Sequence, residues 1–304
     1  MSHSMPLDQA DGLRRLFASA RVCVVPVVSN PNVAFGGVML ERLCTAFAEH
    51  GKHTLVIDAG ERANAADAMA LLDLSECIER LSPQVSYLAA RGLSLRFVDA
   101  AGSTAGFLRA IADAAPHCDV VLVHAPAAEL CRLFARHPAG HHDGHGGRAH
   151  CRPLLLADDR PASVTHAYAA MKLLTQRAGL IVHDLLLGAA PQSPRTERIA
   201  MQIATCADDF LGAVLRDWVQ IDPATDATEV PCAALRRLVR EQLASTFGMA
   251  PLPLALDSDF GFESDQDHGL DHEWSHFATV APPSSRPAAN RPSHARSAVA
   301  WAHH

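Results

Sequence analysis

Short, continuous apolar runs alternate with longer segments of helical periodicity through the middle of this sequence. A run at residues 21–27 (RVCVVPV) precedes an amphipathic segment at 37–50, and a second run at 53–57 (HTLVI) ends at Asp58. Strands that are apolar on both faces are typical of parallel sheets covered by helices on both sides. The pattern therefore predicts an α/β fold with a doubly wound, mostly parallel sheet, whose ligand site lies at the carboxyl ends of the strands.

The same alternation continues over residues 21–249, which we interpret as one domain. Further strands are predicted at 93–98, 119–124, 153–157, 183–187 and 219–221, and further helices at 103–115, 163–177, 194–207 and 233–247. Residues 1–20 form a short amphipathic start. Residues 250–304 are rich in Pro, Ser, Asp and His, and we predict a disordered tail because they cannot bury enough apolar surface.

Charge and cysteine usage exclude several classes of protein. The 304 residues carry a formal net charge of -7, which argues against nucleic acid as a partner because phosphate binding needs a clustered positive field. The eight cysteines include no C-x-x-C pair, a usage typical of a reduced compartment. With no signal peptide and no apolar run of 18 residues, we expect a cytoplasmic protein, with peripheral contact at the inner membrane or cell pole as an alternative.

Two internal segments carry a family resemblance. Residues 27–59, VVSNPNVAFGGVMLERLCTAFAEHGKHTLVIDA, resemble the opening of MinD/ParA-family ATPases of the P-loop NTPase fold, in a register set by Glu49, Gly51, Lys52 and the run 57–59. A second segment resembles FlhG (also called FleN), a flagellar-number regulator of that family. It matches the pattern P-x-S-x-x-x-A-Y-x-x-x-K-L-L at Pro161, Ser163, Ala167, Tyr168, Lys172, Leu173 and Leu174.

The start of the chain resembles a third FlhG element, DQA-x-x-LR, which stimulates the FlhF GTPase in that family. The matching residues, and hence the implied partner-binding residues, are Asp8, Gln9, Ala10, Gly12, Leu13 and Arg14. Leu13 would be the apolar anchor of this contact. The resemblance thus implies a regulator of flagellar biosynthesis with an FlhF-type GTPase as partner, and flagellar switch or transcriptional regulator proteins as further partners. The alternative is an N-terminal helix that packs on its own domain.

ATP-Mg is the cofactor that the family implies, but the loop that should hold it is altered. Family members carry K-G-G-x-G-K-T where this chain has residues 31–37, PNVAFGG. By this alignment Pro31 replaces a signature lysine, Gly36 the phosphate lysine and Gly37 the Mg²⁺ hydroxyl, while Phe35 replaces a glycine. Pro31 also lacks a backbone donor.

The alignment implies further losses beyond this loop. His124 stands where the Walker-B aspartate should end its strand, Gly60 replaces the second aspartate after Asp58, and Gly188 replaces the asparagine that reads adenine. Losing these charge-assisted contacts should cost at least about 5 kcal/mol, about a thousandfold in affinity. We therefore predict a pseudo-ATPase with no bound cofactor and no catalytic residues, in which a vestigial pocket comprises Asn30, Pro31, Phe35, Gly36, Gly37, Asp58 and His124. The alternatives are a weak ATPase with a rearranged loop and a paralogue that positions another polar or envelope system.

Three other features have weaker claims to function. The helix at 233–247 has an apolar face with arginines opposite, so it either packs on the sheet, which we favour, or lies on an anionic membrane; its key residues are Leu235, Arg236, Leu238, Val239, Arg240 and Leu243. The His-rich residues 137–151 could hold a metal, but their glycines favour an inserted flexible loop. The H-E-x-x-H match at 272–276 lies in the acidic tail and is interpreted as chance, so no metal site is predicted.

Overall fold

The computed structural model describes residues 22–67, 73–98, 104–134, 151–226 and 228–245, which all belong to one compact unit. Several features singled out in the sequence lie outside these residues. They are the N-terminal segment 1–20 with Asp8–Arg14, the tail at 250–304 with its 272–276 motif, and the His-rich segment apart from Cys151. The predictions made for them stay predictions.

One sheet organises the described residues. Its strands are β1 (Cys23–Val28), β2 (Thr54–Asp58), β3 (Glu79–Ser82), β4 (Val85–Ala89), β5 (Val120–Ala125), β6 (Leu154–Asp158), β7 (Val182–Gly188) and β8 (Val214–Ile221). Their order across the sheet is β3-β4-β2-β5-β1-β6-β7-β8, and neighbours run parallel except for the β3–β4 pair. The predicted doubly wound, mostly parallel sheet is confirmed.

Helices cover both faces of the sheet. They are α1 (Gly36–Glu49), α2 (Ala105–Ala114), α3 (Ala127–Phe134), α4 (Pro161–Leu173), α5 (Thr196–Leu211) and α6 (Ala233–Ser245), and a π-helical turn at Leu174–Ala178 extends α4. Successive residues of β5 show why its run is continuously apolar. Val120 and Leu122 pack in the core under α1 and α6, whereas Val121 and Val123 pack under α2 to α5. Within the described ranges, no helix has the length and apolarity needed to cross a bilayer.

The predicted strand at 93–98 is wrong, because residues 94–97 form a 3-10 helix. The alternating letters of LSLRFV suggested a strand, but Gly92 has a φ of 78° and the N–H of Leu93 bonds back to the carbonyl of Ala90. The chain therefore turns here before it can extend. The strand beside β2 is β4, which pairs with β3 in an antiparallel hairpin that the sequence analysis missed.

The other boundaries differ by smaller amounts. Helix α3 was not predicted, and β8 begins five residues before the predicted 219–221. At the start of β8, exposed and half-buried residues alternate because this strand forms the edge of the sheet. An alternating edge strand gives a weaker signal than the apolar runs of the central strands.

The order of the strands places a crevice at the centre of the sheet. From β1 the chain continues to β2 on one side, and from β5 it crosses to β6 on the other. The carboxyl ends of β1 and β5 therefore flank the point where the direction of winding reverses, which is where ligands bind in folds of this type. The loop between β1 and α1 lies at this point.

Candidate functional site

Asn30 fixes the loop that follows β1. Its side-chain nitrogen lies 2.8 Å from the carbonyl oxygen of Leu156 in β6, and 3.0 and 3.2 Å from the carbonyl and hydroxyl oxygens of Ser163 in α4. Its side-chain oxygen accepts the N–H of Asn32 at 3.1 Å. Asn30 is buried, so these bonds replace water at both ends of the amide and tie the loop to β6 and α4.

Asp158, at the end of β6, closes the same loop from the other side. Its Oδ2 accepts the backbone N–H of Ala34 at 3.1 Å and the Nη2 and Nε of Arg160 at 2.7 and 2.9 Å. Arg160 also donates to the carbonyl oxygen of Asn32. Burial by itself would raise the pKa of Asp158, but the hydrogen bonds from Arg160 and Ala34 outweigh it and hold that pKa below its usual value.

This contact decides what the loop can bind. In a P-loop, backbone N–H groups point at phosphate oxygens and a lysine balances their charge. Here the N–H of Ala34 is already bonded to an ionised carboxylate, and that carboxylate is neutralised by Arg160 of the same chain. An incoming phosphate would have to compete with Asp158 for this N–H group and for Arg160.

Asp58 and His124 form a second contact, at the neighbouring ends of β2 and β5. The Nδ1 of His124 lies 2.8 Å from Oδ1 of Asp58, which also accepts the N–H of Gly60 at 3.1 Å, while the hydroxyl of Tyr87 donates to Oδ2 at 3.3 Å. Burial by itself would raise the pKa of Asp58. The hydrogen bonds from these donors, above all His124, lower it by more, so the pKa of Asp58 lies below its usual value. Since the carboxylate can only accept, Nδ1 carries the proton and the Nε2 of a neutral ring remains an acceptor.

Two glycines at this edge are in close contact with neighbouring side chains. A Cβ at position 60 would lie 3.0 Å from Cε1 of His124 and 3.1 Å from Oδ1 of Asp58. A Cβ at position 188 would lie 3.2 Å from the sulfur of Met39. A side chain at either position would therefore require these neighbours to shift by a few tenths of an ångström.

The turn after β2 links the two contacts. Arg62 donates to the carbonyl oxygen of Pro31 at 2.7 Å, and the hydroxyl of Ser29 donates to Glu61. The Nε2 of His166 lies 3.3 Å from the carbonyl oxygen of Ser29. The loop after β1 is thus bonded to β6 and α4 on one side and to the turn after β2 on the other.

Only some of the residues predicted to form the vestigial pocket make contacts at this site. The structure brings Asp58 and His124 into direct contact, buries Asn30, and uses Pro31 as an acceptor. Phe35 caps α1 with its side chain 49% exposed, and Gly36 and Gly37 form the half-buried first turn of that helix.

The sequence analysis missed Asp158 and Arg160 as site residues. Their signal was present, because they follow a predicted strand whose carboxyl end lies at the winding reversal. The pattern that resembles the family begins only at Pro161, so it does not include these two residues.

Helix α6 uses its apolar face for packing. Leu235, Leu238 and Val239 are buried in the core shared with α1, and Leu243 packs against the same core. The side chains of Arg236 and Arg240 are exposed on the other face. Of the two interpretations given for this helix, the structure thus has the one in which it packs on the sheet.

The fold and the position of the site define a doubly wound α/β protein with a closed β1–α1 loop at its central crevice. No protein-family model and no curated protein sequence matches the chain. Solved structures similar in fold include the MinD cell division protein of Aquifex aeolicus, with 14% identity, a TM-score of 0.46, and coverage of 73% of this chain and 96% of that one. Cobyrinic acid a,c-diamide synthase from Mycobacterium smegmatis has 14% identity and a TM-score of 0.46, with coverage of 73% of this chain and 94% of that one. A plasmid partition protein from Borrelia burgdorferi has 8% identity and a TM-score of 0.44, with coverage of 74% of this chain and 97% of that one. At identities this low, the similarity concerns the fold alone.

Proposed function

We propose that this protein regulates flagellar biosynthesis by protein–protein binding and without a nucleotide switch. The observation that carries the second half of this proposal is the bond between the Asp158 carboxylate and the N–H of Ala34. In this loop the N–H of Ala34 already donates to a carboxylate, and positions 31 and 36 carry no lysine, so two kinds of group that bind phosphate in a P-loop are missing. A protein with such a loop exerts its effect through its surfaces.

The proposed partner of the N-terminal segment is an FlhF-type GTPase. Support comes from the match of residues 8–14 to DQA-x-x-LR and from the second match at 161–174. Asp8, Gln9 and Arg14 would give the contact its direction, and Leu13 would give it apolar area. The α/β domain would bind flagellar switch or transcriptional regulator proteins, in the cytoplasm or at the cell pole.

Titration calorimetry with ATP-Mg²⁺ tests the absence of a nucleotide switch. We expect no heat of binding, and identical size-exclusion profiles with and without ATP-Mg²⁺. A dissociation constant below about 50 μM would show a working nucleotide site and favour the weak ATPase instead. Asp158→Asn is the informative variant, because it removes the negative charge and keeps the shape of the side chain. Tighter binding of ATP by this variant than by the natural chain would identify Asp158 as the group that excludes phosphate.

Stimulation of GTP hydrolysis tests the partner. The full chain, and a synthetic peptide of residues 1–20, should accelerate hydrolysis by the FlhF-type GTPase of the same organism. Gln9→Ala and Arg14→Ala should weaken the effect, and Leu13→Ala should weaken docking by roughly 1–3 kcal/mol through lost apolar burial. Ser4→Ala, outside the motif, is the matched control and should change nothing. If neither the chain nor the peptide alters the rate at saturation, the flagellar assignment fails. A role in positioning another polar or envelope system would then be the remaining proposal.

A further inference from the structure

A groove opens on the side of the molecule away from the β1–α1 loop, between the second half of α5 and the start of β8. It encloses about 400 Å³, and its lining includes Ala204, Thr205, Asp208, Asp209, Val214 and Leu215. Strand β8 is the last strand of the sheet, so its outer edge has no neighbouring strand within the described residues. An edge strand beside an open groove is a surface on which another segment of chain can lie.

Apolar and acidic side chains share this surface. Val214 is 52% exposed, and Met201 of α5, two turns before Asp208 on the same side of that helix, is 59% exposed. Asp208 and Asp209 lie between them along the chain, both exposed, and neither forms an ion pair with another described residue. We call the groove together with Met201 the α5–β8 surface. A segment that is apolar on one side and basic on the other would complement it.

We infer that the chain's own residues 13–21 dock on the α5–β8 surface. This segment reads LRRLFASAR, with apolar side chains at Leu13, Leu16 and Phe17 and basic ones at Arg14, Arg15 and Arg21. At helical spacing the apolar residues share one face, which would cover Met201 and Val214. The arginines would then stand opposite the unpaired carboxylates of α5.

The position at which the segment joins the sheet allows this docking. Strand β1 starts at Cys23 on the amino edge of the sheet, and the groove reaches the same edge at Val214, the first residue of β8. Three strand spacings separate β1 from β8, a distance of roughly 14 Å. Residues 18–22 span roughly 16 Å when extended, which is enough to bring Phe17 to the groove.

Charge distinguishes this segment from the other candidate within the chain. Residues 246–256 (TFGMAPLPLAL) follow α6 and are also apolar, but they carry no basic side chain. They could cover Met201 but would leave Asp208 and Asp209 without partners. The N-terminal segment is the occupant that satisfies both properties of the surface.

Docking would also regulate the proposed activity. Leu13 and Arg14 belong both to the docked segment and to the motif proposed to contact the GTPase, so the two interactions exclude one another. This consequence rests on the proposed function, whereas the docking itself does not.

Hydrogen exchange on the full chain tests the docking through a change of charge. Asp208→Lys with Asp209→Lys should accelerate exchange of the amides of residues 13–20 by about tenfold or more, because the arginines lose their partners and meet like charges. Glu76→Lys with Glu79→Lys is the matched control. It makes the same change of charge on exposed residues near the opposite edge of the sheet and should leave residues 13–20 unchanged.

The converse change of charge, made on the docking segment, tests the same contact even if the lysines at 208 and 209 disturb α5. Arg14→Glu with Arg15→Glu alters only residues outside the described fold, and should accelerate exchange at residues 213–216. Combining it with the two lysines should restore protection at both places. Unchanged exchange of residues 13–20 in the lysine variant would overturn the docking. So would a change confined to residues 247–256, which would make that segment the occupant, or protection that depends on protein concentration, which would indicate a second copy. GTPase stimulation is measured separately, so failure of the docking and failure of the proposed function are distinguishable.

Discussion

Two aspartates on the neighbouring strands β6 and β7, one at the carboxyl end and one at the amino end, have pKa values shifted in opposite directions. Asp158 ends β6 at the carboxyl edge, where it accepts hydrogen bonds from Arg160 and from the N–H of Ala34, and its pKa lies below the usual value. Asp184 lies near the start of β7 at the amino edge, and burial raises its pKa to about 6. Both carboxylates have an arginine nearby, so proximity to a cation does not explain the contrast.

Hydrogen bonding explains it. Among the described residues, Asp184 accepts one bond, from Gln242 of α6 at 2.7 Å, and its Oδ1 has no donor. The buried Arg152 lies 3.8 Å away and donates no hydrogen bond through its guanidinium to any described residue. Desolvation therefore exceeds the attraction at the amino edge, whereas direct bonds exceed desolvation at the carboxyl edge. We call Arg152, Asp184, Glu241 and Gln242 the amino-edge cluster; it joins β6 and β7 to α6.

The largest effect should come from removing the cation of the amino-edge cluster. Arg152→Ala leaves the buried carboxylate without its countercharge and opens a cavity, so we expect a loss of about 3–5 kcal/mol in the free energy of unfolding, measured with urea at pH 7. Arg216→Ala is the matched control, because Arg216 also pairs with Glu241 but is 54% exposed, and it should cost less than about 1 kcal/mol. Equal losses in the two variants would refute the idea that burial sets the energy of this cluster.

A pH series should separate Asp184 from its neighbour His183. A raised carboxyl pKa means that the folded state gains stability as the pH falls from above 6 towards 3.8. Burial lowers the pKa of His183 to about 4, so its contribution is present above 6.5 and is lost as the pH falls towards 4. In the natural chain these two slopes oppose each other. Asp184→Asn should remove the gain and uncover a fall of about 3 kcal/mol between pH 6.5 and pH 4.

Asp158→Asn serves as the comparison in that series. Its folded-state pKa is depressed, so the stability it contributes is present above its unfolded value of 3.8 and is lost only as the pH falls through the folded value. The difference between this variant and the natural chain should therefore stay constant from pH 6.5 to pH 5. Denaturant unfolding at four or five pH values measures both variants, and parallel curves for Asp184→Asn and the natural chain would contradict the assignment.

Removing the anchor of the β1–α1 loop should have an intermediate effect. Asn30→Ala leaves the carbonyl oxygens of Leu156 and Ser163 without their side-chain donor, and we expect a loss of about 1–3 kcal/mol in thermal or urea unfolding. Asn32→Ala, two residues on, should change stability by less than about 0.5 kcal/mol, since Asn32 bonds through its backbone. A small effect of Asn30→Ala would mean that the loop is held mainly by Asp158.

The smallest effect should come from Arg160. Its side chain is 53% exposed, so water can replace most of what it gives Asp158, and Arg160→Ala should cost less than about 1 kcal/mol. The loss should shrink further in 1 M salt because exposed charges are screened. A loss as large as that of Arg152→Ala would erase the contrast between the two edges.

The sequence predicted the sheet because β1, β2, β5, β6 and β7 are largely apolar on both faces, a pattern typical of a parallel sheet covered by helices on both sides. It failed at β3 and β4, whose residues include polar ones such as Glu79, Arg80 and Ser86, because an antiparallel hairpin at an edge need not be apolar. The resemblance led to Asp58 and His124, which the structure joins. It did not lead to Asp158 and Arg160. Their place after a predicted strand marked them as candidates, but their contact with the β1–α1 loop depends on how β6 lies beside β1.

The contact at Gly60 has a consequence for the history of this chain. If an ancestor carried the two aspartates that the family resemblance implies, the present imidazole at 124 and the absence of a side chain at 60 are coupled changes. Restoring an aspartate at position 60 alone would drive its Cβ into His124 and the Oδ1 of Asp58. Restoring one at position 124 alone would remove the imidazole that donates to Asp58 and place a second carboxylate beside it. Each single reversion therefore disturbs the contact that the other position now makes, so in such a lineage the two positions would have to change together to regain the former chemistry without a destabilised intermediate.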